Sequence, residues 1–194
     1  MNEALYIVTL ILYLIPCFST LSNIKIIKNC NMPVAIGLIT HAALINNYIF
    51  NQGVDLSFAN STLLLSWIIV ALFLILNIKS KYQGLEIFTL IPALIIVIVF
   101  PLIQPDHQFI HHYSVSASMH IIIALLSYGL LAFGSIFSLF LLLFEKSLHA
   151  ENKNPSIISS SEPLLVIEIK LFQIYWAGFA FLSFTLFSSL FFSN

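Results

Sequence analysis

The spacing of charged residues along this chain limits the folds that it can adopt. Charges and polar breaks divide the sequence into apolar runs, each close to the roughly 20 residues that a helix needs to cross a hydrocarbon core about 30 Å thick. The runs are Ala4–Leu21, Pro33–Phe50, Thr62–Ile78, Leu85–Ile103, Val115–Phe144 and Leu171–Phe192. This pattern predicts an all-α, polytopic membrane helix bundle with about six transmembrane helices, forming one integral membrane domain over residues 1–194.

The composition excludes several other classes of protein. Apolar residues make up 60% of the 194 residues and charged residues only 8%, whereas a soluble domain carries about 25% charged residues. A soluble globular enzyme and a disordered tail are therefore excluded. The chain has no arginine and a net charge of -1, so it has no basic patch for nucleic acid. The predicted partner is the lipid bilayer.

The lysines predict the orientation of the spans. All seven lysines fall on one face of a six-span layout, in the connections that follow the first, third and fifth spans. The opposite face carries Glu3, Asp55 and Asp106. By the positive-inside rule the lysine face is cytoplasmic, so both termini are predicted to lie outside. The start of the chain lacks the positive region of a signal peptide, so we interpret the first run as a retained span.

His41 lies near the middle of the second run, with Gly37 and Tyr48 on its helical face. Ionisable groups within hydrocarbon are costly and usually face a bundle interior or a cofactor. One interpretation is a neutral imidazole that is hydrogen-bonded to a carbonyl, to Asn46 or to Asn47. The other is an axial ligand of haem iron, because imidazole nitrogen binds haem iron.

His120 lies roughly 7–8 Å below Val115, near the outer end of the fifth run. The other residues on its face are small, namely Ser116, Ala117, Ala124 and Ser127. Such a stripe either lets a neighbouring helix approach closely or provides space for a flat macrocycle. Gly134 and Ser138 further along the run favour helix packing. His120 is therefore a second candidate haem ligand, with helix packing as the alternative.

The outer loop and the tryptophan are weaker candidates. His107 and His111 have the spacing of a helical metal site, but no convincing set of further ligands accompanies them. With His112, they are interpreted as a partly solvated histidine cluster, although a second ligand for an iron bound by His41 or His120 is an alternative. Trp67 is placed near the outer interface as a packing or aromatic-belt residue.

The sequence contains little that indicates catalysis or transport. Cys17 and Cys30 form neither a CxxC pair nor a haem-attachment site, so both are interpreted as reduced, structural thiols. No hydrolytic or phosphate-binding motif occurs, so the chain is not predicted to be an enzyme. Pro92 and Pro101 predict a break in the fourth run, but the absence of a charge at its middle disfavours a transporter or channel.

Three parts of the sequence resemble the cytochrome c assembly superfamily of membrane proteins, and within it the YpjD/HemX-like branch. They are Thr40–Leu44 with Asp55–Asn60 and Leu63–Trp67, then Met119–Ile121 with Leu125–Gly129, and lastly Glu162–Leu165 with Glu168 and Leu171–Phe179. In the superfamily, one histidine pair ligates haem within the membrane and another near its outer face. By this resemblance, His41 corresponds to the first membrane histidine and His120 to the first outer-side histidine.

The resemblance also implies a function, although the sequence lacks two features of the superfamily. It implies a membrane protein of the bacterial inner (cytoplasmic) membrane that binds or handles haem for c-type cytochrome maturation, with other maturation subunits as partners. The tryptophan-rich haem-handling motif and the later spans with the second histidines do not occur in this sequence. The chain is therefore expected to be a shortened variant, to pair with another subunit, or not to bind haem. The alternative function is a non-catalytic membrane partner or regulator of tetrapyrrole synthesis or of an assembly complex.

Overall fold

The computed structural model describes residues 2–22, 31–50, 54–79, 82, 84–103, 115–149 and 164–192. Within these ranges the chain forms six α-helices and no strand. They are α1 (Asn2–Leu21), α2 (Asn31–Ile45), α3 (Phe58–Lys79), α4 (Leu85–Ile103), α5 (Val115–His149) and α6 (Leu164–Phe192). Each helix lies in a segment that is long and apolar enough to cross a bilayer. For α2 this segment is Asn31–Phe50, which includes the turn that follows the helix. The prediction of an all-α membrane bundle is confirmed.

The helices pack as a four-helix group with two added helices. α1 packs on α2 and α4, and α3 packs on the same two helices, so these four helices surround a common core. Within the four-helix group α5 packs mainly on α3, and α6 packs mainly on the other side of α5 at the periphery. Most side chains of α6 are consequently exposed to the lipid, whereas the inner faces of α1 to α4 are buried.

Hydrogen bonds join the helices at the end that carries the lysines. The Thr20 hydroxyl donates to the buried Glu86 carboxylate, 2.8 Å away, which connects α1 to α4. The Asn77 side chain donates to Asn31 Oδ1, 2.8 Å away, which connects α3 to α2. These bonds place the ends of α1 and α3 beside the starts of α2 and α4. Successive helices in this group of four therefore run in opposite directions, as the six-span layout requires.

Two helices, α3 and α6, begin a full turn or more before the apolar runs predict. α6 begins at Leu164 rather than Leu171, because Lys170 does not end the span. Its ammonium donates to Tyr82 Oη at 2.9 Å and lies 5.4 Å from the centre of that ring. α3 begins at Phe58 rather than Thr62, since the polar residues that precede Thr62 bond within the helix start. For example, the Ser61 N–H donates to the Ser57 carbonyl at 2.8 Å.

The predicted break in the fourth run is wrong. α4 continues through both Pro92 and Pro101 from Leu85 to Ile103. Proline is tolerated inside transmembrane helices because packing and local adjustment compensate for the missing N–H donor. α1 likewise continues through Pro16. α4 therefore lacks the discontinuous geometry that marks many transporter sites.

Candidate functional site

His41 lies where three helices of the four-helix group meet. It is the eleventh residue of α2, and its side chain is fully buried. Its ring contacts Tyr13 of α1, with the ring centres 6.0 Å apart in an edge-to-face arrangement. The backbone carbonyl of Leu63, in α3, also interacts with the imidazole. His41 thus faces the interior of the bundle.

The two ring nitrogens of His41 have different surroundings. Nδ1 lies 3.2 Å from Tyr13 Oη and forms a hydrogen bond with it. Nε2 is buried and has no hydrogen bond of acceptable geometry, and the Leu63 carbonyl that interacts with the ring also accepts from Ser66 Oγ. Of the partners that the packing interpretation named, a backbone carbonyl is present, that of Leu63, whereas neither Asn46 nor Asn47 is bonded to the ring.

The α1–α2 interface that holds this pair depends on a small residue and a second hydrogen bond. A Cβ atom at Gly37 would lie 2.6 Å from Tyr13 Cε1, so only glycine allows the Tyr13 ring to lie against α2. One turn away, the Thr9 hydroxyl donates to Thr40 Oγ1 at 2.8 Å. These contacts fix the register of α1 against α2.

The segment Asp55–Asn60 closes the end of α2 that is nearer to His41. The last turn of that helical segment, Asn46–Phe50, is a π-helix, which leaves backbone groups without their usual helical partners. Asn60 Nδ2 donates to the carbonyls of Tyr48 (3.3 Å) and Asp55 (3.2 Å), and the Asp55 N–H donates to Ile49. The sequence segment quoted for the family resemblance therefore has a structural role as a cap.

His120 lies at a different helix interface. It is half-buried in the second turn of α5, and its Nδ1 is 2.9 Å from Ser188 Oγ of α6. The Ser188 hydroxyl donates to the Thr185 carbonyl at 2.8 Å. Because a hydroxyl has one hydrogen, Ser188 Oγ accepts from the Nδ1–H of His120. A neutral ring in this tautomer carries its lone pair on Nε2.

The small residues of α5 allow close packing against its neighbours. A Cβ at Gly134 would lie 3.1 Å from Tyr175 of α6, and one at Gly129 would lie 2.5 Å from Ile68 of α3. The contact at Gly134 favours helix packing in that part of the run, as the sequence predicts. His41 and His120 are therefore not brought together, since α3 lies between α2 and α5.

The remaining candidates have structural contacts or lie outside the described residues. Trp67 is the tenth residue of α3, and its Nε1–H donates to the Leu38 carbonyl of α2 at 3.0 Å, so it lies deeper than predicted because α3 begins earlier. Cys17 is a buried, unpaired thiol, as predicted. Four of the candidate residues lie outside the described ranges, namely His107, His111, His112 and Cys30. Among the described residues, no group of three or more His, Cys, Asp or Glu side chains is arranged to hold a metal ion.

Tyr13 is the residue at this site that the sequence argument missed. A signal for it exists in the first run, where polar residues recur at helical spacing on one face. These residues are Tyr6, Thr9, Tyr13 and Thr20. A polar stripe on an otherwise apolar membrane helix indicates a face that packs on another helix rather than on lipid.

The family model for cytochrome c assembly proteins matches residues 29–194. This chain belongs to the cytochrome c assembly protein family. The match covers α2 to α6, including His41 and His120, whereas α1 with Tyr13 precedes it. A search of curated proteins and a search of solved structures gave no match. The family assignment supports a role in cytochrome c maturation, in a multi-pass membrane protein.

The donor chemistry of the two histidines fits haem, the cofactor generally linked to this family. Histidine ligands of metals commonly use one ring nitrogen for the metal and hold the other in a hydrogen bond. At His41, Nδ1 bonds to Tyr13, and Nε2 is buried without a hydrogen bond of acceptable geometry. At His120, Nδ1 donates to Ser188. In both residues Nδ1 has a hydrogen-bond partner, so Nε2 is the nitrogen that would bind iron.

Proposed function

We propose that this protein holds haem within the membrane during cytochrome c maturation, and that His41 is an axial ligand. The observation that supports this most is the buried Nε2 atom of His41, which has no hydrogen bond of acceptable geometry. Membership of the cytochrome c assembly family is consistent with it.

Buried polar atoms without a hydrogen bond are rare in folded proteins. The large majority of buried polar side-chain atoms have a hydrogen-bond partner. Leaving one unsatisfied costs about 1–3 kcal/mol. A leucine or methionine would fill the same space in α2 without that cost. An iron atom bound at Nε2 would satisfy the lone pair, which gives the histidine a reason to be there.

His120 is proposed as a ligand at a second, shallower position. It lies about 7–8 Å from the first residue of α5, at the end of the bundle away from Lys170 and Tyr82. We propose that the two positions hold haem at different depths, with His41 deeper and His120 towards the outer face. The membrane is proposed to be the bacterial inner membrane, and the partners to be haem and other cytochrome c maturation subunits.

In this proposal the protein provides binding and orientation. When bound, haem supplies the redox and ligand chemistry of its iron. Tyr13 and Ser188 orient the imidazoles, and the four-helix group excludes water from His41. The helices themselves therefore carry no catalytic residue in the proposed mechanism.

The proposal is tested on protein purified in mild detergent from haem-replete cells. The wild-type protein is expected to show a Soret band and a pyridine haemochrome signal. We expect His41→Gln to lower the haem content by about tenfold or more, as loss of metal-site residues typically does. Glutamine retains a polar side chain of similar size beside Tyr13, and size-exclusion chromatography checks that the variant is folded.

The matched variant His120→Gln tests the second position separately. A partial loss of haem would support two sites, and an unchanged haem content would limit the proposal to His41. Wild-type protein without haem would contradict the whole proposal. It would favour the alternative function, a non-catalytic membrane partner or regulator of tetrapyrrole synthesis, in which both histidines can be replaced while the protein still co-purifies with its partner. The packing of His120 against Ser188 is the observation that favours this alternative.

A further inference from the structure

Tyr13 lies directly beside His41, the proposed ligand. Its side chain is fully buried in α1, and its hydroxyl oxygen lies 3.2 Å from His41 Nδ1. The two residues are 28 positions apart in the chain, so the contact depends on how α1 packs against α2. Tyr13 precedes the residues that match the family model.

Gly37 determines where the Tyr13 ring lies. A Cβ at position 37 would be 2.6 Å from Tyr13 Cε1 and 2.8 Å from Cδ1. Gly37 and His41 are four residues apart, on the same face of α2. The Cδ1–Cε1 edge of the Tyr13 ring therefore lies against α2 one turn before His41, and its hydroxyl reaches Nδ1.

The phenol hydroxyl suits either tautomer of the imidazole. It donates to Nδ1 when the ring proton is on Nε2, and it accepts from Nδ1–H when the proton has moved there. The second state exposes the Nε2 lone pair. An aliphatic residue at position 13 would hold neither state, and the buried ring would lose the contact that fixes its orientation.

From these contacts we propose that Tyr13 is the positioning residue of His41: seated on Gly37, it holds Nδ1 so that Nε2 is the nitrogen presented to haem iron. This inference rests on the proposed function for its haem-related part. It assigns to α1 a role in a site whose other residues lie within the family match.

The first test needs no haem. Nitrogen NMR of ¹⁵N-histidine-labelled, haem-free protein is assigned for His41 by comparison with His41→Gln. In the wild type, the Nδ1 resonance is expected at the shift of a hydrogen-bonded ring nitrogen. Tyr13→Phe should move it towards the shift of a nitrogen without a hydrogen bond, and Gly37→Ala should do the same by displacing the Tyr13 ring. Tyr6→Phe, on the same helix but against Tyr48 and Phe100, is the matched control and should leave it unchanged.

The second test uses haem-loaded protein. Tyr13→Phe is expected to release haem about tenfold faster to an excess of a high-affinity apoprotein, as loss of an outer-shell partner typically does. The midpoint potential should become more positive, because an imidazole without an acceptor for Nδ1–H is a weaker donor to oxidised iron. Tyr6→Phe should change neither quantity.

The outcomes separate the inference from the proposed function. An Nδ1 resonance that Tyr13→Phe does not move would overturn the inference, whether or not haem binds. Unchanged haem release and potential in Tyr13→Phe would overturn its haem-related part. Wild-type protein without haem would overturn the proposed function, and the nitrogen resonances would still decide for or against Tyr13.

Discussion

His41 and His120 are both histidines on membrane-spanning helices, yet their surroundings differ in two respects. His41 is fully buried among α1, α2 and α3, and its Nε2 has no hydrogen bond of acceptable geometry. His120 is half-buried between α5 and α6, where its Nδ1 donates to Ser188. A histidine that packs helices together needs only the second kind of site. The first kind is the one for which we propose a ligand role.

The helices around His41 are also more deeply buried than those around His120. The four-helix group buries both sides of the α1–α2 interface, so its side chains have little room to move. α6 contacts mainly α5 and presents large aromatic residues such as Trp176 and Phe187 to the lipid. Substitutions at corresponding positions in the two regions should therefore differ in their effect on stability.

The largest difference is expected between His41→Ala and His120→Ala in haem-free protein. His41→Ala should lower the free energy of unfolding by about 2–4 kcal/mol, since it creates a buried cavity and removes the partner of Tyr13. His120→Ala should cost about 1 kcal/mol or less, because lipid and neighbouring side chains can fill its half-buried site. Denaturant unfolding in a mild detergent measures both. Equal losses would show that burial does not distinguish the two sites.

Gly37 and Gly134 each face a tyrosine ring, and replacing them with alanine should have a smaller effect on the free energy of unfolding. Gly37→Ala should cost about 1–3 kcal/mol, because the added methyl overlaps the buried Tyr13 ring. At Gly134 the added methyl would be 3.1 Å from Tyr175, which is half-buried and can shift. The higher helix propensity of alanine, about 1 kcal/mol, should offset that strain, so Gly134→Ala is expected near zero. The same unfolding assay checks the pair, and a larger loss at Gly134 would contradict the comparison.

The smallest expected effect is the coupling between His120 and Ser188. A double-mutant cycle of His120→Ala and Ser188→Ala should give about 0.6 kcal/mol, the average for side-chain hydrogen bonds between membrane helices. The corresponding cycle of His41→Ala and Tyr13→Phe should give a larger value, because both partners are fully buried. If the His120 cycle gave the larger coupling, the ranking of the two regions would be reversed.

The sequence predicted the spans well, with particular errors at the ends. The predicted limits of the fourth span agree with α4, from Leu85 to Ile103. The sixth span is predicted to begin at Leu171 because Lys170 is taken as its boundary, whereas α6 begins at Leu164. The Lys170 ammonium instead bonds to Tyr82 from inside the helix, as long lysine side chains can do near a membrane interface. Tyr82 and Lys170 are 88 residues apart in the chain, and hydropathy cannot reveal such a contact.

The candidate site could be predicted only in part. His41 and His120 are visible in the sequence because ionisable residues are rare within apolar runs. Their different hydrogen bonds depend on Tyr13 and Ser188, which belong to other helices. Nothing in the spacing around His41 indicates that Gly37 allows a tyrosine from α1 to reach its Nδ1.

The amino-acid sequence by itself determined the membrane class, the number of spans and the histidines within them, because hydrophobicity and charge act through local composition. Only the tertiary structure decided which ring nitrogen of each histidine is held and by which residue. That outcome depends on helix register and on atomic distances between segments far apart in the chain, which periodicity does not encode.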